Sequence, residues 1–150
     1  MKKITVAVMG FGDRGQIYAS YAKKAPDRME IVACIDPDPV RLQKAKTLYG
    51  LREENCFADP AAFYAREKMC DAVINATMDS LHVKTTLPLL EKGYDVLLEK
   101  PITSDEAELL QLQAAAKRTG RVLMICHVLR YAPFYVKIKQ VLAGGSLGKI

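Results

Sequence analysis

The chain has 150 residues, half of them hydrophobic and 26% charged, with 22 basic against 17 acidic side chains and a net charge of +5. That is enough for one domain with its own core, and the composition is that of an ordinary soluble protein rather than a disordered or fibrous one. The basic residues are scattered apart from Lys2-Lys3 and Lys23-Lys24, so they read as solvated helix faces rather than a nucleic-acid stripe; no apolar run approaches the roughly 20 residues that span a membrane.

The first apolar run, Ile4 to Met9, reads as a buried strand ending in Gly10-Phe11-Gly12-Asp13-Arg14-Gly15. This is the G-x-G-x-x-G spacing of a strand-to-helix turn that cradles a dinucleotide's diphosphate. Gly10 lets the chain turn sharply off the strand, Gly12 lets the diphosphate approach the backbone, and Gly15 lets the helix pack close to the strand. The helix, Gln16 to Ala25, offers unpaired N–H groups and partial positive charge at its start, with Ile17, Tyr21 and Ala25 on one face. A second strand, Met29 to Ile35, ends at Asp36, 21 residues after Gly15. An acidic residue at that tip accepts hydrogen bonds from the adenosine ribose and repels a 2′-phosphate, which favours NAD over NADP. The competing reading is a turn or cap aspartate within Asp36-Pro37-Asp38-Pro39.

Pro39 to Tyr49 reads as a helix stopped by Gly50, Asn55 to Ala58 as a short third strand, and Asp59-Pro60 as the cap of a helix running to about Lys68. Asp71 to Ala76 holds a fourth strand. Its tip, Asn75-Ala76-Thr77, lies where a doubly wound sheet binds its ligand, beyond the carboxyl ends of the strands. Ser80 to Lys92 is a helix with His82 in its first turn and Pro88 predicting a kink or a frayed turn. Asp95 to Leu98 is a fifth strand leading into Glu99-Lys100-Pro101. Thr103-x-x-Glu106 fits a capping box for the helix that Gly120 ends. Val122 to Cys126 is a sixth strand, followed by His127 and Arg130; Pro133 to Ala143 is the last helix, and Gly144 to Ile150 turns towards a new strand. The β-α alternation predicts an α/β fold with a doubly wound parallel sheet, the Rossmann arrangement.

Four cysteines, at 34, 56, 70 and 126, form no C-x-x-C pair. Free thiols in a reducing compartment are the simpler reading, and with no signal-like N-terminus they indicate a cytoplasmic protein. No metal site is expected.

With the glycine turn, the acidic tip at 36, Thr77-x-x-Ser80-Leu81-His82 and Glu99-Lys100-Pro101 in this order, the chain resembles the N-terminal half of a Gfo/Idh/MocA oxidoreductase, the family of glucose–fructose oxidoreductase and inositol dehydrogenase. His127-Val128-Leu129-Arg130-Tyr131-x-Pro133-Phe134 and Leu147-Gly148-Lys149-Ile150 carry the resemblance to the end of the chain. The resemblance implies that Lys100 is a catalytic or substrate-orienting residue beside the nicotinamide, where it relays a proton or stabilises negative charge on a reacting oxygen. It implies that Glu99 and Pro101 shape the nicotinamide pocket, that Thr77, Ser80 and His82 line the cofactor, and that Arg130 faces the nicotinamide or the substrate. Together with the residues above, this gives a cofactor set of Gly10, Phe11, Gly12, Asp13, Arg14, Gly15, Asp36, Ala76, Thr77, Ser80, His82, Glu99, Lys100, Pro101 and Arg130. Met78-Asp79 departs from the Pro-Asn common in the family and adds a negative charge near the diphosphate.

On this reading residues 1–150 are the NAD(P)-binding domain of a longer two-domain enzyme, inactive alone. The resemblance implies a second, mostly antiparallel domain that supplies most of the substrate pocket and the homo-oligomer interface. The expected cofactor is NAD, with NADP as the alternative, and the expected substrate is a sugar, inositol or related polyol; neither nucleic acid nor membrane is an expected partner. Two other readings use the same residues: a non-catalytic nucleotide sensor on the same scaffold, which has no need of Lys100, and an S-adenosylmethionine methyltransferase, which leaves Glu-Lys-Pro unexplained.

Overall fold

A computed structural model describes residues 2–148. Six strands form one parallel sheet: β1 (Ile4–Met9), β2 (Met29–Ile35), β3 (Cys56–Phe57), β4 (Ala72–Asn75), β5 (Asp95–Leu98) and β6 (Leu123–Ile125). Their order is β3-β2-β1-β4-β5-β6, so the winding reverses between β1 and β4. The doubly wound sheet expected from the alternation is the one observed.

Alternate residues of β1 feed two cores, as the pleat requires. Val6 and Val8 face α1 (Asp13–Ala19), α2 (Tyr21–Lys24) and α3 (Pro39–Tyr49), and Ala7 and Met9 face α4 (Pro60–Tyr64), α5 (His82–Glu91) and α6 (Glu106–Thr119). A seventh helix, α7 (Pro133–Ala143), buries no residue and packs on the 3-10 turn at Val128–Tyr131.

Several local expectations are corrected. The first helix begins at Asp13 and breaks at Ser20, whose hydroxyl donates back to the Ile17 carbonyl at 2.7 Å. Its buried face is Gly15, Ala19 and Ala22, while Ile17 and Tyr21 are exposed. The small residues face inward because α1 sits so close to the β1 turn that larger ones have no room there. The fourth helix ends at Tyr64 rather than Lys68, because the following backbone is drawn to the next layer: Met69 N–H donates to the Tyr94 hydroxyl at 3.0 Å, and Lys68 reaches the Gly93 carbonyl. The first turn expected of α5 is a 3-10 turn, Asp79–Leu81, and the helix itself runs through Pro88 to Glu91, held by the fully buried Leu89 and Leu90. The N-cap of α6 is Asp105, not Thr103. Asp105 Oδ1 accepts the Glu108 N–H at 3.0 Å, while the Asp105 N–H donates to the Thr103 hydroxyl at 3.1 Å and that hydroxyl bonds the Glu108 carboxylate, so the cap sits two residues later than expected and Thr103 relays between Asp105 and Glu108 in place of a reciprocal capping box. Gly144 and Gly145 do lie in a turn; the new strand expected towards Ile150 falls on Lys149 and Ile150, outside the described residues.

Candidate functional site

The site lies at the carboxyl ends of β1, β2, β4 and β5, where backbone hydrogen bonds stitch successive strand tips together. Gly10 N–H donates to the Ile35 carbonyl (2.8 Å), Ala76 N–H to Met9 (2.8 Å) and Glu99 N–H to Asn75 (2.9 Å). The three glycines of the first turn divide the work. Gly10 has φ +84°, and a Cβ there would lie 2.4 Å from the Ala76 carbonyl oxygen, so it stands where the tips of β1 and β4 touch. A Cβ on Gly15 would lie 2.0 Å from the Gly10 carbonyl oxygen, which seats α1 directly on the turn. A Cβ on Gly12 would meet nothing nearer than the Arg41 guanidinium at 3.8 Å. Packing explains Gly10 and Gly15; the open space at Gly12 is what a ligand approaching the backbone needs. Gly12 is also the N-cap of α1 and supplies no side-chain cap, so the first turn keeps its donors for an anion.

Phe11 contributes backbone only. Its ring is fully buried, edge-on to Tyr49, and its N–H donates to Asp36 Oδ2 at 2.6 Å. Asp36 is itself buried, and its Oδ1 accepts the Asp38 N–H at 2.9 Å. It does not cap α3, whose N-cap is Asp38 with Oδ1 accepting the Val40 N–H at 2.8 Å. Asp36 thus fastens the glycine turn to the tip of β2. Asp13 and Arg14 are exposed on the first turn of α1.

At the tip of β4, Asn75 is wholly buried. Its Nδ2 donates to the Thr85 and Thr86 hydroxyls (2.8 and 3.0 Å), and its Oδ1 accepts from the Thr77 hydroxyl (2.9 Å). Ala76 and Thr77 form the half-buried crest beside Gly10. His82 lies behind that crest with no solvent exposure, its Nδ1 2.6 Å from the Pro101 carbonyl oxygen and its Nε2 3.1 Å from that of Thr77. This corrects the expectation that His82 lines the cofactor: its ring ties the β4 loop to the β5 loop and presents nothing to a ligand. Ser80 is exposed on a separate cleft of about 540 Å3, shared with Asp79, Pro101 and Thr103.

Glu99, at the tip of β5, is buried and triply engaged. One oxygen takes the Tyr18 hydroxyl at 2.7 Å and the Arg14 Nε at 3.2 Å, and the other takes the Lys100 N–H at 2.5 Å. Burial, then the bond to Glu99, pushes the Tyr18 hydroxyl far above its ordinary pKa, so Tyr18 is a fixed donor. The Lys100–Pro101 peptide is cis. The Lys100 side chain opens onto a cavity of about 380 Å3 shared with Arg14, Cys126, His127, Leu129 and Arg130. Among the described residues, neither Lys100 nor Arg130 has an ion-pair partner. The structure therefore gathers Gly10–Gly15, Asp36, Ala76–Thr77 and Glu99–Lys100 along one edge with Arg130 at its far end. The sequence reading missed Asn75's network, Tyr18 and Arg41.

All four cysteines are free, three of them buried. Among the described residues no cluster of three His, Cys, Asp or Glu is placed to hold a metal, and no helix is long and apolar enough to cross a membrane.

A parallel doubly wound sheet with a glycine turn at its switch point and an acid at the tip of β2 defines a dinucleotide-binding α/β domain, and the open Gly12 with an uncapped α1 fits that ligand. The chain belongs to the Gfo/Idh/MocA oxidoreductase family, whose model, described as an NAD-binding Rossmann fold, matches residues 4–127. An inositol 2-dehydrogenase of Saccharopolyspora erythraea is 30% identical over 149 residues, covering 99% of this chain and 43% of the relative. The NAD(+)-dependent scyllo-inositol 2-dehydrogenase of Bacillus subtilis is 26% identical, covering 98% and 42%. Among solved structures, the WlbA dehydrogenase of Chromobacterium violaceum, in complex with NADH and UDP-GlcNAcA, superposes with a TM-score of 0.89 at 25% identity, covering 100% of this chain and 42% of that one. The chain thus spans less than half the length of the relatives it matches.

Proposed function

We propose that this chain is the NAD(P)-binding, N-terminal half of a two-domain dehydrogenase that moves a hydride between a nicotinamide cofactor and a hydroxyl of a sugar, inositol or related polyol. The observation that carries the reading is the position of Lys100. Among the described residues it stands exposed and without an ion-pair partner at the tip of β5, on one cavity with Arg14 from the first turn after the glycine loop. The names of the inositol dehydrogenases and of the sugar-nucleotide-bound neighbour support the substrate class.

In this reading the backbone at Gly12, Asp13 and Arg14 holds the diphosphate, Asp36 accepts from the adenosine ribose, and Ala76 and Thr77 border the middle of the dinucleotide. A bound nicotinamide supplies the hydride acceptor or donor. Lys100 Nζ hydrogen-bonds the reacting oxygen, stabilises its negative charge and relays its proton. Glu99 fixes Arg14 and the Lys100 backbone, and Arg130 orients the substrate. Exposed apolar residues on α7, Phe134, Tyr135 and Leu142 among them, suit a surface covered by the remainder of a longer protein and its partner subunits. Free thiols suit a cytoplasmic setting.

Calorimetric titration of the chain with NADH tests the cofactor half of the proposal, and turnover of the complete protein with a panel of inositols and sugars tests the rest. Lys100→Met is expected to lower kcat by roughly 100-fold or more while leaving NADH affinity within about threefold. A mutant with near-normal kcat removes Lys100 from the reaction; a complete protein that binds NADH and turns over nothing in the panel is a sensor instead.

A further inference from the structure

We propose that Cys34 and Cys56 form a redox-modification site: a thiol pair that a peroxide closes into an intrachain disulfide, which weakens the hold of the neighbouring Asp36 on the cofactor. The effect on the cofactor rests on the reading above; the disulfide does not.

The two cysteines are register partners, opposite each other on the adjacent parallel strands β2 and β3. Both side chains leave the sheet on the same face, towards the core that Val6, Val8 and Phe11 fill. Neighbouring strands lie about 4.8 Å apart, inside the roughly 4.4–6.8 Å between Cα atoms that a disulfide bridges, and the Cβ atoms must close to about 4 Å. β3 is suited to that movement, because it has two residues and stands at the end of the strand order, paired within the sheet on one side only. Among the described residues no other two cysteines are paired across strands.

The pair has an inner and an outer member. Cys34 is fully buried, whereas Cys56 is half-buried and opens on a cavity of about 310 Å3 with Leu42, Lys46 and Glu53. In the reduced chain the Cys56 thiol donates to the Arg52 carbonyl at 3.6 Å, a contact of a weak donor that holds it lightly. The titratable groups facing the pair are Asp36, Lys46, Tyr49 and Glu53. Burial, then the Asp36 charge, pushes the Cys34 thiol far up; burial, then Glu53, raises Cys56, with Lys46 pulling it back. The first step therefore falls on Cys56, whose sulfur attacks the O–O bond of the peroxide to give a sulfenic acid and one water. Cys34 then attacks that sulfur. The S–S bond forms, the S–O bond breaks, and hydroxide leaves as water with the Cys34 proton, so two thiols and one peroxide give one disulfide and two waters.

The cross-link bears directly on the site. The Asp36 N–H donates to the Phe57 carbonyl at 3.0 Å, two residues beyond Cys34 and one beyond Cys56. Drawing β3 onto β2 moves the backbone that seats Asp36, whose carboxylate holds the glycine turn through the Phe11 N–H at 2.6 Å.

The test treats wild type, Cys56→Ser and Cys34→Ala with hydrogen peroxide at mildly alkaline pH. Unreduced peptide mapping reads the bond, calorimetry with NADH reads the site before oxidation, after it and after dithiothreitol, and urea unfolding controls for folding. Wild type is expected to yield a peptide joined through Cys34 and Cys56 and to lose at least about threefold in NADH affinity, regained with dithiothreitol. Cys56→Ser is expected to bind NADH within about twofold of untreated wild type with or without peroxide. Cys34→Ala is expected to stop at a Cys56 sulfenic acid that dimedone labels. Oxidation of Cys56 without the joined peptide overturns the proposal, as does a joined peptide with unchanged NADH affinity or a loss that persists in Cys56→Ser; all three leave the cofactor reading standing. A reduced wild type that binds no NADH overturns the cofactor reading and the effect on the cofactor with it, and the joined peptide alone then decides the pairing.

Discussion

The two edges of the sheet treat polar residues differently. At the amino edge, Asp71 Oδ2 accepts the Thr5 N–H and hydroxyl (2.8 and 2.9 Å), and Asp95 Oδ1 accepts the Val122 N–H (2.9 Å). These aspartates stay in contact with water and only pin strand starts together. At the carboxyl edge, Asp36, Asn75 and Glu99 are taken out of water at three strand tips, and His82, Thr85 and Thr86 are buried beside them on α5. Removing such groups from water is costly unless each finds partners, and here each does. The cost is accepted where loops must hold one shape before any ligand arrives. The carboxyl edge is therefore a prebuilt surface, while the amino edge is only a seam.

The sharpest way to break this contrast is to compare two glycines three residues apart. Gly15→Ala is expected to cost roughly 3 kcal/mol or more, because its Cβ would meet the Gly10 carbonyl oxygen at 2.0 Å and backbone on both sides would have to move. Gly12→Ala has room and is expected to change stability by less than about 0.5 kcal/mol while weakening NADH binding about tenfold or more. Urea unfolding and calorimetry read the two effects. A Gly15→Ala variant as stable as wild type would remove the close seating of α1 on the turn, and with it the prebuilt character of this edge.

The next largest effect belongs to the buried network. Asn75→Ala takes a buried donor from the Thr85 and Thr86 hydroxyls and the acceptor from the Thr77 hydroxyl, so a loss of about 2 kcal/mol is expected in thermal or urea unfolding. Asp71→Asn, at the amino edge, is expected to cost under about 1 kcal/mol, since water screens the seam. Its pH dependence has a definite sign. The Thr5 N–H, then the Thr5 hydroxyl, hold the Asp71 carboxyl below its ordinary value in the folded chain. The stabilisation is therefore present above the ordinary aspartate pKa and is lost as pH falls through and below it. Asp71→Asn should flatten that acid limb of the stability curve, whereas an unchanged limb would mean that Asp71 contributes nothing there.

The sequence makes legible whatever depends on spacing along the chain. Glycines at 10, 12 and 15, Asp36 at a fixed distance and the β-α alternation follow from the local order of residue types, and the fold and its switch point follow from them. Lys100 is singled out only by the family resemblance that its triplet carries. What depends on contact between distant segments is not. His82 has the sequence signature of a first-turn polar residue, and only packing shows that it faces two carbonyls, from residues 77 and 101. Ile17 and Tyr21 have the period of a buried face, yet the demand for small residues against the turn puts Ala19 and Ala22 there instead. Arg41 is one of 22 basic residues in the chain, and nothing in its neighbours along the sequence sets it apart. A signal was present for Asp105, since Asp105-x-x-Glu108 is as good a helix-start pattern as Thr103-x-x-Glu106; the bond from the Glu108 N–H to Asp105 decides between them.

The smallest expected effect lies beyond the sheet altogether, on α7. Phe134 is 69% exposed and Leu142 45%, and the helix buries no residue. Exposed side chains contribute little to folding, so Phe134→Ser and Leu142→Ser are each expected to shift the stability of this chain by less than about 0.5 kcal/mol. Leu89→Ala, in the core between α5 and the sheet, is expected to cost about 2–5 kcal/mol. The contrast between the variants matters more than either number. A loss above about 1 kcal/mol at Phe134 would place α7 within the cooperative core of these 150 residues. A null effect in this chain, combined with a large loss from the same substitution in a protein of the relatives' full length, would locate the apolar face of α7 in an interface with the rest of that protein.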